Sequence, residues 1–368
     1  MSLLKYSIIQ TLFFFLLNIV FITTADSVTF DDIWQTTELY KADEESYLNL
    51  SGRLQIDSAW FDSKQGEFND LSWRRFRFGF KGQYQNFIAA LEADINLNNG
   101  KDERYNRLTD ANISYLVNDD LTLTFLKQSA GFTLDGRTSS KRLLTPQRNN
   151  LTNNIWFTSE YFSGVSAKGN ITPSLTYNAG IFSSDASDEI GLSDASYFSL
   201  LSINTTFEKS KWWDSGHLNL DYVYNDVHEA GGTAKLSSIY NLSGSFTFNN
   251  WQLAHDISYA QGDLQQSDLW GVVIMPSYQH SQLVQLVFRY TYLHSHDNNG
   301  LKLGKYENEI VTEKGDNYQE IYAGVNWLFY QHKFKLQLGL QYADMKDKAN
   351  DGGEYQGWGM TLALRSYW

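Results

Sequence analysis

Along most of the chain, apolar and polar residues alternate with a period of two. Successive side chains of a β-strand point to opposite faces, so such a rhythm sorts residues by side. In WRRFRFGFKG (73–82), Phe76, Phe78 and Phe80 share one face, and Arg75, Arg77 and Lys81 the other. Gly52–Trp60 sets Leu54, Ile56 and Trp60 against Arg53, Gln55 and Asp57. Phe87–Leu97 separates Ala89, Leu91, Ala93, Ile95 and Leu97 from Glu92, Asp94 and Asn96. Phe334–Tyr342 separates Phe334, Leu336, Leu338, Leu340 and Tyr342 from Lys335, Gln337 and Gln341. Similar segments recur at 108–116, 121–127, 173–182, 196–207, 217–225, 236–248, 251–261, 271–279, 284–293, 320–330 and 355–368, with a weaker one at 156–168. Together they predict sixteen strands.

A soluble sandwich and a membrane barrel both use this alternation. The connections separate them. Short ones at 82–85, 117–120, 169–173, 249–250, 280–282 and 330–333 alternate with longer polar ones at 62–71, 98–107, 128–155, 183–195, 295–318 and 344–355. Short turns at one end and long loops at the other are the habit of outer-membrane barrels. Apolar faces also end in Trp60, Tyr115, Tyr222, Tyr292, Trp327, Tyr342 and Trp358, rings suited to the lipid–water boundary. The prediction is therefore an all-β fold, a transmembrane antiparallel β-barrel with phenylalanines toward lipid and arginines toward the interior. The final segment, GWGMTLALRSYW, reads as a strand that lets the sheet close without a free edge.

Composition agrees. Aromatics reach 15%, and proline, which interior β-ladders avoid, occurs three times. There is no cysteine, which excludes disulfides, thiol chemistry and cysteine-ligated metals. Residues 1–25 read as a signal peptide: Lys5 supplies the positive start, Ile8–Ile22 the apolar run, and Thr23-Thr24-Ala25 the small residues for cleavage. A membrane-anchor helix is the competing reading. Loss of 1–25 removes one lysine and no acid, so the mature chain carries 28 basic against 42 acidic residues, a net −14. That balance excludes nucleic acid as a partner. Residues 26–46 form a short periplasmic segment, with DDIWQTTELYKADEE able to make a helix, and the barrel is expected from 47 to 368.

Taken in order, GRLQIDSAWFD, WRRFRFGFKGQ, LTDANISYL, TSSKRLLTPQRN, QLVFRYTYL and NYQEIYAGVNWLFYQHKFKLQLGLQY resemble the phosphate-selective porin O and P family. The likeness runs from about residue 47 to the end. It implies a porin-type, sixteen-stranded, trimeric channel in the outer membrane of a Gram-negative bacterium, narrowed by inward-folded loops and lined by basic residues. Phosphate preference does not transfer automatically, because members differ in substrate.

Selectivity would depend on the narrowest point and the charges there. The longest connection, 128–155, is the candidate constriction. Between Lys127 and Asn154 it holds Lys127, Arg137, Lys141, Arg142 and Arg148 against Asp135 alone, net +4, which leaves −18 on the rest of the mature chain. Arginine suits phosphate or carboxylate because its planar fork bonds two oxygens at once. Lys141, Arg142 and Arg148 lie in TSSKRLLTPQRN, the part of the loop that resembles the family pattern, and carry over from it, whereas Arg137 rests on charge alone. The alternative is a surface loop tied by these cations to the wall or to lipopolysaccharide. On the wall, Arg53, Arg75, Arg77, Lys81, Arg289, Lys335 and Arg365 fall on interior parity, either as a guide for anions or as partners of Asp57, Glu92, Asp94, Asp110, Asp221 and Asp256.

The acid-rich stretches 185–190, 313–320 and 346–354 read as solvated rims facing lipopolysaccharide. No cofactor is implied, and His294-Ser295-His296-Asp297 reads as exposed rather than metal-binding. Serine hydrolysis would need a serine and a histidine on one strand face. Only Ser215-Gly216-His217 has that spacing, at a turn. The reading is thus a porin for small hydrophilic solutes that prefers anions such as phosphate. A non-selective or weakly cation-preferring porin, a barrel enzyme and an adhesin are the alternatives.

Overall fold

The computed structural model describes residues 29–100, 103–185, 187–192 and 196–368. The signal peptide expected at 1–25 lies outside the described residues. Two compact units divide at Glu38 and Leu39. In the first, helix α1 (Phe30–Gln35) starts with a capping box, Thr29 and Asp32 satisfying each other's backbone N–H.

Strand β1 (Glu38–Asp43) is exposed along its length and leads into the barrel. The barrel strands are β2 (Ser46–Ser63), β3 (Gly66–Tyr84), β4 (Phe87–Ile95), β5 (Tyr105–Asn118), β6 (Leu121–Ser129), β7 (Tyr161–Thr172), β8 (Leu175–Ser183), β9 (Tyr197–Phe207) and β10 (Ser215–Asn225). They continue as β11 (Leu236–Phe248), β12 (Trp251–Gly262), β13 (Leu269–Gln279), β14 (Val284–Ser295), β15 (Asn317–His332), β16 (Phe334–Lys346) and β17 (Tyr355–Tyr367). Each pairs antiparallel with the next, and β17 returns to β2 with Arg365 opposite Gln55. Trp368 and Gly52 exchange both backbone hydrogen bonds at the seam. All sixteen strands predicted from the two-residue rhythm are present, and no edge is left in the ring.

Burial follows the alternation. Phe78 and Phe80 are exposed on the outside, whereas Arg77, between Phe76 and Phe78 in sequence, faces the interior and is 1% exposed. The two-residue turns at one end begin with Gln85 and Asn249 in the left-handed region (φ 50° in both), which matches the twist of the strands they join. One expected loop is corrected. Residues 62–71 are strand on both sides of a tight turn, in which Ser63 Oγ accepts the Gly66 N–H at 3.2 Å. The polar run there (Asp62, Glu67, Asn69, Asp70) is exposed strand, so it lost the alternation that marks a buried face.

The interior departs from a uniformly wet lumen. The 130–160 connection carries helices α2 (Leu134–Arg137) and α3 (Asn150–Ile155). Its Phe132, Leu151, Ile155 and Phe157, all 0% exposed, form one apolar cluster with inward residues of the far wall such as Phe198, Val223, Val273 and Val287. The same cluster takes in Leu301, Leu303 and Val311 from the 296–316 connection. Burial of such side chains contributes about 1.5–3 kcal/mol each. β13 shows how a strand serves this: Trp270 and Ile274 face out while Leu269, Val273 and Met275 face in.

Candidate channel constriction

The long loop is tied to the wall at many points. At its start, Thr133 and Leu134 donate their N–H groups to Asp221 (3.1 Å) and Asp256 (2.8 Å). Asp135 then accepts both the backbone N–H and the side-chain amide of Asn149 at 2.8 Å, closing the loop on itself. Along its middle, backbone oxygens are the targets. Lys335 reaches Leu143 O (2.6 Å), Arg365 reaches Pro146 O (3.1 Å) and Asn326 reaches Leu144 O (2.9 Å). Carbonyls buried without partners are costly, so the loop needs these donors wherever it has no strand neighbour.

The predicted wall cations are mostly engaged. Arg53 pairs with Glu92 at 2.9 Å and donates to Ser140 Oγ at 2.8 Å. Arg289 pairs with Glu320 and donates to Thr145, and Arg365 pairs with Asp57. Arg75 donates to Gln55 at 3.1 Å and lies 3.9 Å from Glu160. Arg77 touches Glu160 (3.1 Å), Asp94 (3.5 Å), Glu92 (3.9 Å) and the Tyr161 hydroxyl (2.6 Å). Lys81 is exposed near the short-turn end.

The loop cations divide. Arg148 stacks 4.7 Å over Trp156 and pairs with Glu160 at 2.9 Å. Arg137 pairs with Asp221 and with the Asn204 amide oxygen, and it lines a cavity of about 570 Å³ together with Lys168, Asp119 and Asp120. Lys141 sits 5.4 Å from the Tyr367 ring, and Arg142 is exposed.

A second cavity, about 600 Å³, lies between the long loop, the 296–316 connection and strands β3–β5. Arg74, Arg75, Arg107, Arg148, Lys302 and Lys305 line it against Asp94, Glu160 and Glu309. Four of these cations escaped the sequence reading. Arg74 is the extra residue of a β-bulge: Gln55 lies opposite Arg75 and Ile56 opposite Trp73. A bulge breaks strict alternation, so both arginines of the doublet face inward. Lys302 and Lys305 reach the cavity because the 296–316 connection also folds inward, held by Tyr306 on Asp57 (2.5 Å) and by Asn154 on Lys302 O (3.0 Å). The apolar positions Leu301, Leu303, Tyr306, Ile310 and Val311 were the available signal. The expected rim at 313–320 is corrected accordingly: Asp316 is fully buried and accepts the Asn299 and Lys348 N–H groups, and Glu320 is 3% exposed.

Charge states in the loops follow from this packing. Burial alone would raise the Glu160 carboxyl, but Arg148, Arg75 and Arg77 overcome it and hold it well below the usual carboxylate range. Burial, reinforced by Glu320, pushes Glu307 from 4.5 up to about 7, although Gln341 donates to it. A raised acid pKa means that the folded state binds more protons, so this contribution is full below pH 4.5 and lost as pH rises to about 7. Denaturant midpoints should therefore fall across that window, and Glu307→Gln should flatten the fall; an equal slope in both proteins would refute it.

Among the described residues, no group of three or more histidine and carboxylate side chains is placed to hold a metal. His294 Nδ1 instead meets Asn317 at 2.7 Å, and His217 Nδ1 meets Ser245 at 3.3 Å.

A closed ring of antiparallel strands, apolar outward and filled by its own long loops, defines an outer-membrane β-barrel of the porin type. Residues 48–210 match the family model described as phosphate-selective porin O and P. Porin O of Pseudomonas aeruginosa is 24% identical over 217 residues, 57% of this chain and 49% of that protein. The chain thus spans about half the length of the curated relative it matches. These matches place it in the outer membrane of a Gram-negative bacterium. In fold it is similar to the anion-selective porin from Comamonas acidovorans (TM-score 0.61, 13% identity, 88% of this chain and 100% of that one). It is also similar to OmpT, an outer membrane protein of Vibrio cholerae in its trimer form (TM-score 0.59, 13% identity, 88% and 100%).

Proposed function

We propose that this barrel is a porin through which small hydrophilic solutes diffuse, with a preference for anions such as phosphate. The observation that carries the reading is the larger cavity, where six cations face three carboxylates. Arg74, Arg107, Lys302 and Lys305 have no carboxylate within ion-pair distance among the described residues, so they keep their charge for a solute. A ring of basic side chains lowers the barrier for an anion leaving water. The similarity to a protein described as an anion-selective porin and to the phosphate-selective family supports the same choice. Assembly as a homotrimer fits the trimer form of the Vibrio relative, with outward aromatic faces against lipid and the long-loop rim against lipopolysaccharide.

One observation favours a second reading, a weakly cation-preferring or non-selective pore. On the inner wall Glu92, Asp94, Asp57 and Glu320 neutralise Arg53, Arg77, Arg365 and Arg289. The reversal potential of the purified channel in a potassium chloride gradient separates the two. Anion preference, with chloride current blocked by added phosphate, is the expected result. Cation preference would favour the second reading, and a barrel that conducts nothing would overturn both.

A further inference from the structure

Glu160 is an odd residue to find where it is. It holds a left-handed backbone (φ 67°), which side chains with a Cβ rarely adopt, at the junction between the long loop and β7. The residue is 5% exposed and lines the cavity wall. Three guanidiniums converge on it: Arg148 at 2.9 Å, Arg77 at 3.1 Å and Arg75 at 3.9 Å. Of the three, only Arg77 has other carboxylates within ion-pair distance among the described residues, Asp94 at 3.5 Å and Glu92 at 3.9 Å. Converging guanidiniums are what an oxyanion would seek, and here a side chain of the protein already sits among them. The backbone at the junction is bonded as well: Ala130 donates to Glu160 O at 3.1 Å, and Arg107 donates to Ser159 O at 2.9 Å.

We propose that Glu160 is a specificity-determining residue, a tethered anion that occupies the guanidinium cluster and competes with permeating oxyanions for it. The left-handed backbone aims the carboxylate into the cluster at a cost the ion pairs offset. In the native protein the filter therefore binds oxyanions weakly and lets them leave, as conduction requires. This rests on the porin reading above.

The test uses the full-length channel in planar bilayers with two variants. Glu160→Gln keeps the shape and removes the charge. Glu160→Gly removes the charge and relieves the left-handed backbone, so folding is safe in at least one of them. Anion permeability should rise roughly fivefold in each and cation permeability fall by about the same factor, so that their ratio rises roughly 25-fold; fivefold is the Boltzmann factor for one unit charge removed about 4 Å from the ion path in a water-like medium. Half-block of chloride current by inorganic phosphate should fall by a similar factor, whereas Glu160→Asp should behave like the native protein. Folded variants with an unchanged or lower ratio would overturn the proposal while leaving the porin reading intact. A native protein that carries no current would instead sink that reading itself.

Discussion

Arg77→Ala should destabilise the barrel by about 3–5 kcal/mol, the usual cost of removing one partner from a buried charge network. Arg77 is 1% exposed and is the common neighbour of Glu160, Asp94 and Glu92. Without it, Glu160 keeps Arg148 and Glu92 keeps Arg53, but Asp94 has no other ion pair among the described residues. A carboxylate left buried and unpaired is the expensive outcome. Arg77→Lys should recover only part of the loss, because a single ammonium cannot reproduce the fork that bonds Tyr161 and Glu160 together. Urea titration of the refolded protein in micelles, followed by tryptophan fluorescence, measures both. A loss below about 1 kcal/mol would mean that the network adds little beyond what an exposed pair supplies.

The second large effect concerns selectivity rather than stability. Six cations and three carboxylates give the larger cavity a formal excess of three positive charges. Replacing Arg74, Arg107, Lys302 and Lys305 by glutamine leaves two cations against three carboxylates, an excess of one negative charge. The sign of the reversal potential in a salt gradient should invert. The fold should tolerate the change, since Arg74 and Arg107 bond neutral groups and Lys305 rests over the Tyr306 ring. Arg74 meets the Gln147 amide at 3.3 Å, and Arg107 meets Ser159 O at 2.9 Å. An unchanged sign would place the filter elsewhere, with Arg137, Lys141 and Arg142 the next candidates for joint replacement.

The barrel was legible because one face of every membrane-crossing strand must be apolar, and a period of two survives even in a degenerate sequence. The Phe76–Phe78–Phe80 stripe and its arginine reverse are an example. What happens inside the ring was less legible, for three separate reasons. Parity cannot anticipate the bulge at Arg74, because its trigger is a pairing register between strands rather than a residue type. The inward fold of 296–316 is a long-range event, written only as five apolar residues in a segment otherwise typical of a loop. Glu160 looked like one acid among 42, and its surroundings come from β3 and the long loop, about 80 and 10 residues away in sequence.

The interior is uneven: the apolar cluster draws its wall residues from β7–β17, where inward charges such as Asp221, Arg289 and Lys335 are held by the loops or by a partner, whereas the larger cavity opens onto β3–β5. A solute crossing the cylinder would therefore be scrutinised from one flank only, on a path displaced from the central axis. Random mutagenesis should split along that divide. Inward apolar substitutions on β11–β14 would change only how well the protein survives denaturant, whereas inward substitutions around the cavity on β3–β5 would also change which ions get through.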